Sequence, residues 1–192
     1  MQRSYFDLIE QSYYFPQEGF DLREDYLTFH GVSLKYLIEK HGTPFRFMYL
    51  PKIGDQIKKT RNLFNRAIKK HNYKGNYHFC YCTKCNHFYH VIQEALKQKV
   101  NLETSSAFDI DLILNLNEKK KIDKKRIIIH NGYKTDDYLR KIIKMQELGF
   151  ENSTIILDSM EELDRLLKIK TKDPVKIGLR MAINEEAQSA YY

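Results

Sequence analysis

Five short apolar runs, separated by segments of helical periodicity, constrain this chain more than any other feature. The runs lie at 78–84, 100–104, 126–130, 153–157 and 175–183. Each is too short for a buried helix and reads as a buried strand. Between them, Val91, Ile92, Ala95 and Leu96 share one face of a helix within 88–99. Ile110, Ile113 and Leu114 belong to a helix opened by Ser106 and Asp109, a pair resembling a capping box. Asp136 and Asp137 suit the positive end of a third helix, which Gly149 can stop in the left-handed conformation. Ser159 and Glu162 form a second S-x-x-E box, ahead of Leu163, Leu166 and Leu167.

Strands that alternate with helices predict a parallel sheet covered on its helical side. Strand starts near 78, 100, 126, 153 and 175 average about 24 residues per unit, the repeat of a (β/α)8 barrel. Five units fall within the 192 residues, against about 250 residues for a typical closed barrel. The expected fold class is therefore α/β, an incomplete TIM-type barrel preceded by an N-terminal extension. We expect the extension over 1–44, irregular, with turn signals at Pro16, Gly19 and Gly31. The barrel portion is expected over 45–192. It begins with a strand-like run at 45–50 and an amphipathic helix from Pro51 to about Lys70.

Composition narrows the functional classes. Apolar residues make up 42% and charged residues 30%, enough for a core and too apolar for a disordered chain. The net charge of +7 favours anionic partners such as phosphates without requiring nucleic acid. No apolar run approaches a membrane span, and MQRSYFDLIEQSYYF lacks a signal-peptide core, so a cytoplasmic protein is expected. Three cysteines argue against a disulfide framework. The basic run EKKKIDKKR at 118–126 has no interleaved aromatic residue and reads as a solvated helix end, so no nucleic-acid partner is expected.

The stretch H-F-C-Y-C-T-K-C-N-H-F-Y-H at 78–90 carries the chemistry. Strand parity puts Cys80, Cys82 and Lys84 on one face, with Lys84 emerging at the C-terminal rim where barrel active sites lie. A partly desolvated amine there can form an imine. A lysine snorkelling at a strand end is the plain alternative. A second alternative takes His78, Cys80, Cys82, Cys85, His87 and His90 as zinc ligands, with Cys82 and Cys85 at thiolate spacing. No second cysteine pair exists, however, and within a strand those two would point to opposite faces. No metal site is expected.

Y-C-T-K-C-N at 81–86 resembles the Y-A-V-K-x-N strand of the fold-type III, alanine-racemase-like decarboxylases that use pyridoxal phosphate. Other pieces of that family's pattern follow in order: G-T-P-F at 42–45, L-E-T-S-S-A at 102–107, I-I-H-N-G-Y-K at 128–134 and I-G-L-R at 177–180. The N-G-Y-K motif and the opening Y-F-D-L at 5–8 and Y-F-P at 14–16 resemble biosynthetic arginine decarboxylases in particular. Cys82, Thr83 and Cys85 depart from the commoner pattern but remain small enough for a barrel lumen.

The resemblance implies pyridoxal 5'-phosphate bound covalently at Lys84, with Cys82, Glu103 and Arg180 also at the cofactor and Glu103 paired with Arg180. It places Asn131 and Lys134 at the substrate rim. The implied reaction is decarboxylation of L-arginine to agmatine and CO2, in polyamine synthesis and arginine catabolism, by a homo-oligomeric enzyme. Ornithine or diaminopimelate decarboxylases are the near variants, and a Cys/His metal-binding module is the alternative from another class. The family's cofactor-stacking histidine, Gly-rich phosphate loop, pyridine-partner acid and C-terminal β-domain have no counterparts here. The expectation is a truncated or split product with little decarboxylase activity alone.

Overall fold

The computed structural model describes residues 18–181, which form two compact units dividing between Tyr49 and Leu50. In the first unit, strands β1 (Phe20–Arg23), β2 (Tyr26–Phe29) and β3 (Val32–Ser33) form an antiparallel meander. The two-residue loops Glu24–Asp25 and His30–Gly31 have positive φ at both positions, the backbone that matches hairpin twist. Ser33 then caps helix α1 (Leu34–His41), its hydroxyl accepting from the Tyr36 N–H, and Gly42 closes that helix at φ 74°. The expectation of an irregular extension is corrected here. Glu-Asp and His-Gly are weak hairpin signals, so the sequence shows little of the meander. The run at 45–50 forms no strand. Phe29 packs edge-on against Phe47, and His30 stacks on Tyr49.

The second unit opens with α2 (Pro51–Lys70), whose first-turn proline lacks only an N–H that would have no helical partner. Five strands follow: β4 (Cys80–Cys82), β5 (Asn101–Thr104), β6 (Ile128–His130), β7 (Ser153–Leu157) and β8 (Lys176–Leu179). Helices α3 (Tyr89–Lys97), α4 (Ala107–Glu118), α5 (Asp136–Glu147) and α6 (Met160–Leu167) connect them. The strands pair in parallel, in chain order. Because each crossover adds the next neighbour on the same side with the same hand, the helices gather on one face, as in an arc of a barrel.

Parity divides that sheet. Leu102, Ile128, Ile155 and Leu157 are buried against the helices, in a core with Ile110, Ile113, Tyr138, Leu139 and Ile142. Glu103, Ile129, Thr154 and Ile156 alternate with them and are half-buried on the other face. Two N-caps work as expected, Ser106 accepting from Asp109 N and Ser159 from Glu162 N. Both acids then reach back one residue beyond the cap. Asp109 accepts from the Ser105 N–H at 2.8 Å and Glu162 from the Asp158 N–H at 2.8 Å. Thr135, which the sequence reading does not single out, caps α5. Gly149 ends that segment at φ 97°.

Candidate active site

The strand carrying Lys84 is shorter than the apolar run suggests. It ends at Cys82, and Thr83–Cys85 turn into one round of 3-10 helix, so Lys84 is an exposed turn residue rather than part of the ladder. Thr83 is fully buried and causes the turn, its hydroxyl donating to the Glu103 carbonyl at 3.0 Å. On the far side the Tyr81 hydroxyl donates to the Asn86 carbonyl at 2.7 Å, and the Asn86 side chain accepts from Phe88 N–H at 2.9 Å. The amine thus stands on a backbone tied at both ends, at the C-terminal edge of the sheet.

Cys82 and Glu103 are register partners across β4 and β5. The Cys82 thiol donates to Glu103 Oε1 at 3.5 Å, and Asn131 Nδ2 donates to the same oxygen at 3.3 Å. Burial, then the neighbouring Glu103 charge, pushes the Cys82 thiol up to about 11, so it holds its proton at neutral pH. Burial also raises Cys80, with Glu103 adding to the shift. Asn131 follows β6, its N–H bound to the Thr104 carbonyl. Its Oδ1 is buried and has no hydrogen-bond partner among the described residues.

Two placements differ from the sequence expectation. Glu103 and Arg180 do not form an ion pair among the described residues. Strands β6 and β7 separate β5 from β8, and the Arg180 Nε lies 3.9 Å from Asp158 Oδ1. Lys134, expected at an open substrate rim, is fully buried: its Nζ donates to the Gly132 carbonyl at 2.6 Å and lies 3.5 Å from Glu162 Oε2. Its own N–H donates to Glu162 Oε1 at 2.8 Å. Burial lowers the Lys134 amine, while Glu162 acts to raise it. Asn-Gly produces this inward turn. Gly132 sits at φ 71°, where an added Cβ would stand 2.7 Å from the Ser105 carbonyl oxygen.

A buried polar row on the helical side escapes the sequence reading. His130 Nδ1 lies 2.7 Å from Thr104 Oγ1, which is 2.7 Å from the Tyr138 hydroxyl, and His130 Nε2 lies 2.7 Å from Ser153 Oγ. Gln146 donates to that serine at 3.3 Å. Burial, assisted by the Lys134 charge, holds His130 near 3, hence neutral. The available signal was His130 at a helix-facing position of an otherwise aliphatic strand. For the zinc alternative, no cluster of three or more His, Cys, Asp or Glu suited to a metal ion occurs among the described residues. No helix there is long and apolar enough to cross a membrane.

The family model described as pyridoxal-dependent decarboxylase, pyridoxal binding domain, matches residues 55–192. A biosynthetic arginine decarboxylase of Prochlorococcus marinus is 26% identical over 174 residues, covering 84% of this chain and 26% of that protein. The arginine decarboxylase of Solanum lycopersicum is 29% identical over 134 residues, covering 67% of this chain and 26% of its own. The chain thus spans about a quarter of the length of these relatives. The solved biosynthetic arginine decarboxylase from Campylobacter jejuni superposes with TM-score 0.65 at 22% identity, over 87% of this chain and 30% of that one. A diaminopimelate decarboxylase from M. jannaschii, solved with L-lysine, gives 0.59 at 20% identity, over 78% and 32%. At these identities the solved structures speak for the shared fold.

Proposed function

This chain belongs to the pyridoxal-dependent decarboxylases, carboxy-lyases that work with pyridoxal phosphate, and we propose that it supplies the lysine-bearing part of an enzyme converting L-arginine to agmatine and CO2. One observation carries the reading: Lys84 stands in an anchored turn at the C-terminal edge of a parallel α/β sheet, with the Glu103 carboxylate on the adjacent strand. Catalytic groups of barrel sheets gather at that edge. The residues suit the coenzyme in donor chemistry, offering a primary amine for its aldehyde, a carboxylate held by two donors, and a buried amide oxygen awaiting one. Bound pyridoxal phosphate would supply the electron sink for the pair left on the substrate's α-carbon as CO2 departs.

In this reading Lys84 is the residue that holds the coenzyme. Glu103 accepts from a protonated nitrogen near it, and Asn131 Oδ1 supplies a second acceptor. Arg180, exposed after β8, brings a cation to the same edge. Lys134 shapes the loop that presents Asn131 through its bonds to Gly132 and Glu162. The names of the curated relatives favour arginine over ornithine or diaminopimelate. A role in polyamine synthesis and arginine catabolism, in a cytoplasmic homo-oligomer, belongs to the same proposal.

The test is covalent labelling. Incubation of the 192-residue chain with pyridoxal phosphate and borohydride should place the label on Lys84, and Lys84→Ala should lose it while keeping the circular dichroism of the wild type. A label scattered over the surface lysines, with Lys84 no richer than the rest, would sink the assignment. The isolated chain should form no agmatine from arginine, because it spans only a quarter of its relatives. Robust turnover would contradict that division of labour.

A further inference from the structure

We propose that Cys82 is a positioning residue: its thiol and the Asn131 amide together hold Glu103 Oε1, so that Oε2 and Asn131 Oδ1 are left facing a ligand's N–H donors. The proposal deepens, and rests on, the reading of this sheet edge as the active site. Its first support is geometric. Cys82 and Glu103 share a register position, and two donors, one on β4 and one just after β6, converge on one carboxylate oxygen at 3.5 and 3.3 Å. Among the described residues Oε2 accepts no hydrogen bond. The second support is the cost accepted at Asn131. Committing Nδ2 to Glu103 turns Oδ1 into a buried position without a partner among the described residues, a desolvation penalty that a ligand donor would remove. The thiol suits the task because it keeps its proton, its ionisation pushed up to about 11 by burial and by Glu103. It therefore acts as a donor, not a nucleophile.

Two experiments on the full chain test this. Without coenzyme, iodoacetamide labelling at pH 8.5 is followed at each cysteine by mass spectrometry, with exposed Cys85 as internal reference. Glu103→Gln removes the charge that opposes the thiolate and should speed Cys82 labelling about threefold relative to Cys85. An unchanged ratio refutes the contact. With coenzyme, Cys82→Ser keeps a donor and should hold the rate of Lys84 labelling near wild type, whereas Cys82→Ala should slow it about fivefold, the equivalent of one hydrogen bond. Equal rates in folded Ser and Ala variants overturn the positioning role even if Glu103→Gln fails to fold. Loss of Lys84 labelling in the wild type would instead strike the function itself, leaving the coenzyme-free result to stand separately.

Discussion

Lowering the pH should destabilise this protein through His130. The imidazole is completely buried between Thr104 and Ser153, beside the Lys134 charge. In the unfolded chain it takes a proton near 6.5, and in the fold not until about 3. The folded value is depressed, and the charged form of histidine is the protonated one. The unfolded state therefore binds more protons throughout the window between the two values. Stability from this group is complete above 6.5 and is lost progressively as the pH falls toward 3. Each pH unit in that window is worth about 1.4 kcal/mol, so at pH 4.5 the loss is about 2.7 kcal/mol. Urea unfolding of the wild type and of His130→Gln, at pH 7.5 and 4.5, isolates the term, since other groups titrate in both proteins. The wild type should lose about 2.7 kcal/mol more than the variant. A difference below about 1 kcal/mol would mean that the imidazolium is accommodated in place, and the reasoning from burial would fail.

Lys134→Met should cost about 3 kcal/mol in chemical denaturation, because it strands the buried Glu162 carboxylate, and adding Glu162→Gln should recover part of that loss. Strictly additive losses would show that the pair is not coupled. Gly132→Ala should lower stability by about 1–2 kcal/mol through its left-handed backbone, with a further penalty from the Ser105 carbonyl, giving a larger fall in Tm than Gly149→Ala. At Gly149 the nearest atom is the flexible Lys124 Cδ at 3.6 Å, so equal falls would refute the steric argument.

The parallel sheet was legible because its determinants are periodic and local. Apolar runs marked all five strands, and Ser106 and Ser159 announced their helices by side-chain bonds made within one turn. The strand ends were less legible, since Cys80–Cys82 stops where Thr83 finds the Glu103 carbonyl, a partner 20 residues away. The meander at Phe20–Ser33 stayed hidden because Glu24 and Asp25 adopt positive φ without glycine, so no composition cue marks the turn. Within the site, parity sufficed to put Cys80 and Cys82 on one face of β4, and the resemblance supplied Lys84 and Glu103. Neither could reveal that Lys134 folds inward, since Glu162, read as one half of a capping box, bonds to a loop 28 residues earlier. The Glu103–Arg180 pairing failed for a topological reason: two strands lie between them, a separation fixed by sheet order and invisible to motif matching. The motifs at 5–8 and 14–16 lie outside the described residues.

The row of Tyr138, Thr104, His130 and Ser153 has a consequence for how such a chain can drift. Every link in it is the hydrogen-bond mate of the next, in a space that admits no solvent. Replacing one alone strands its neighbour, so these four positions are bound to change as a set, swapped together for hydrocarbon or kept intact.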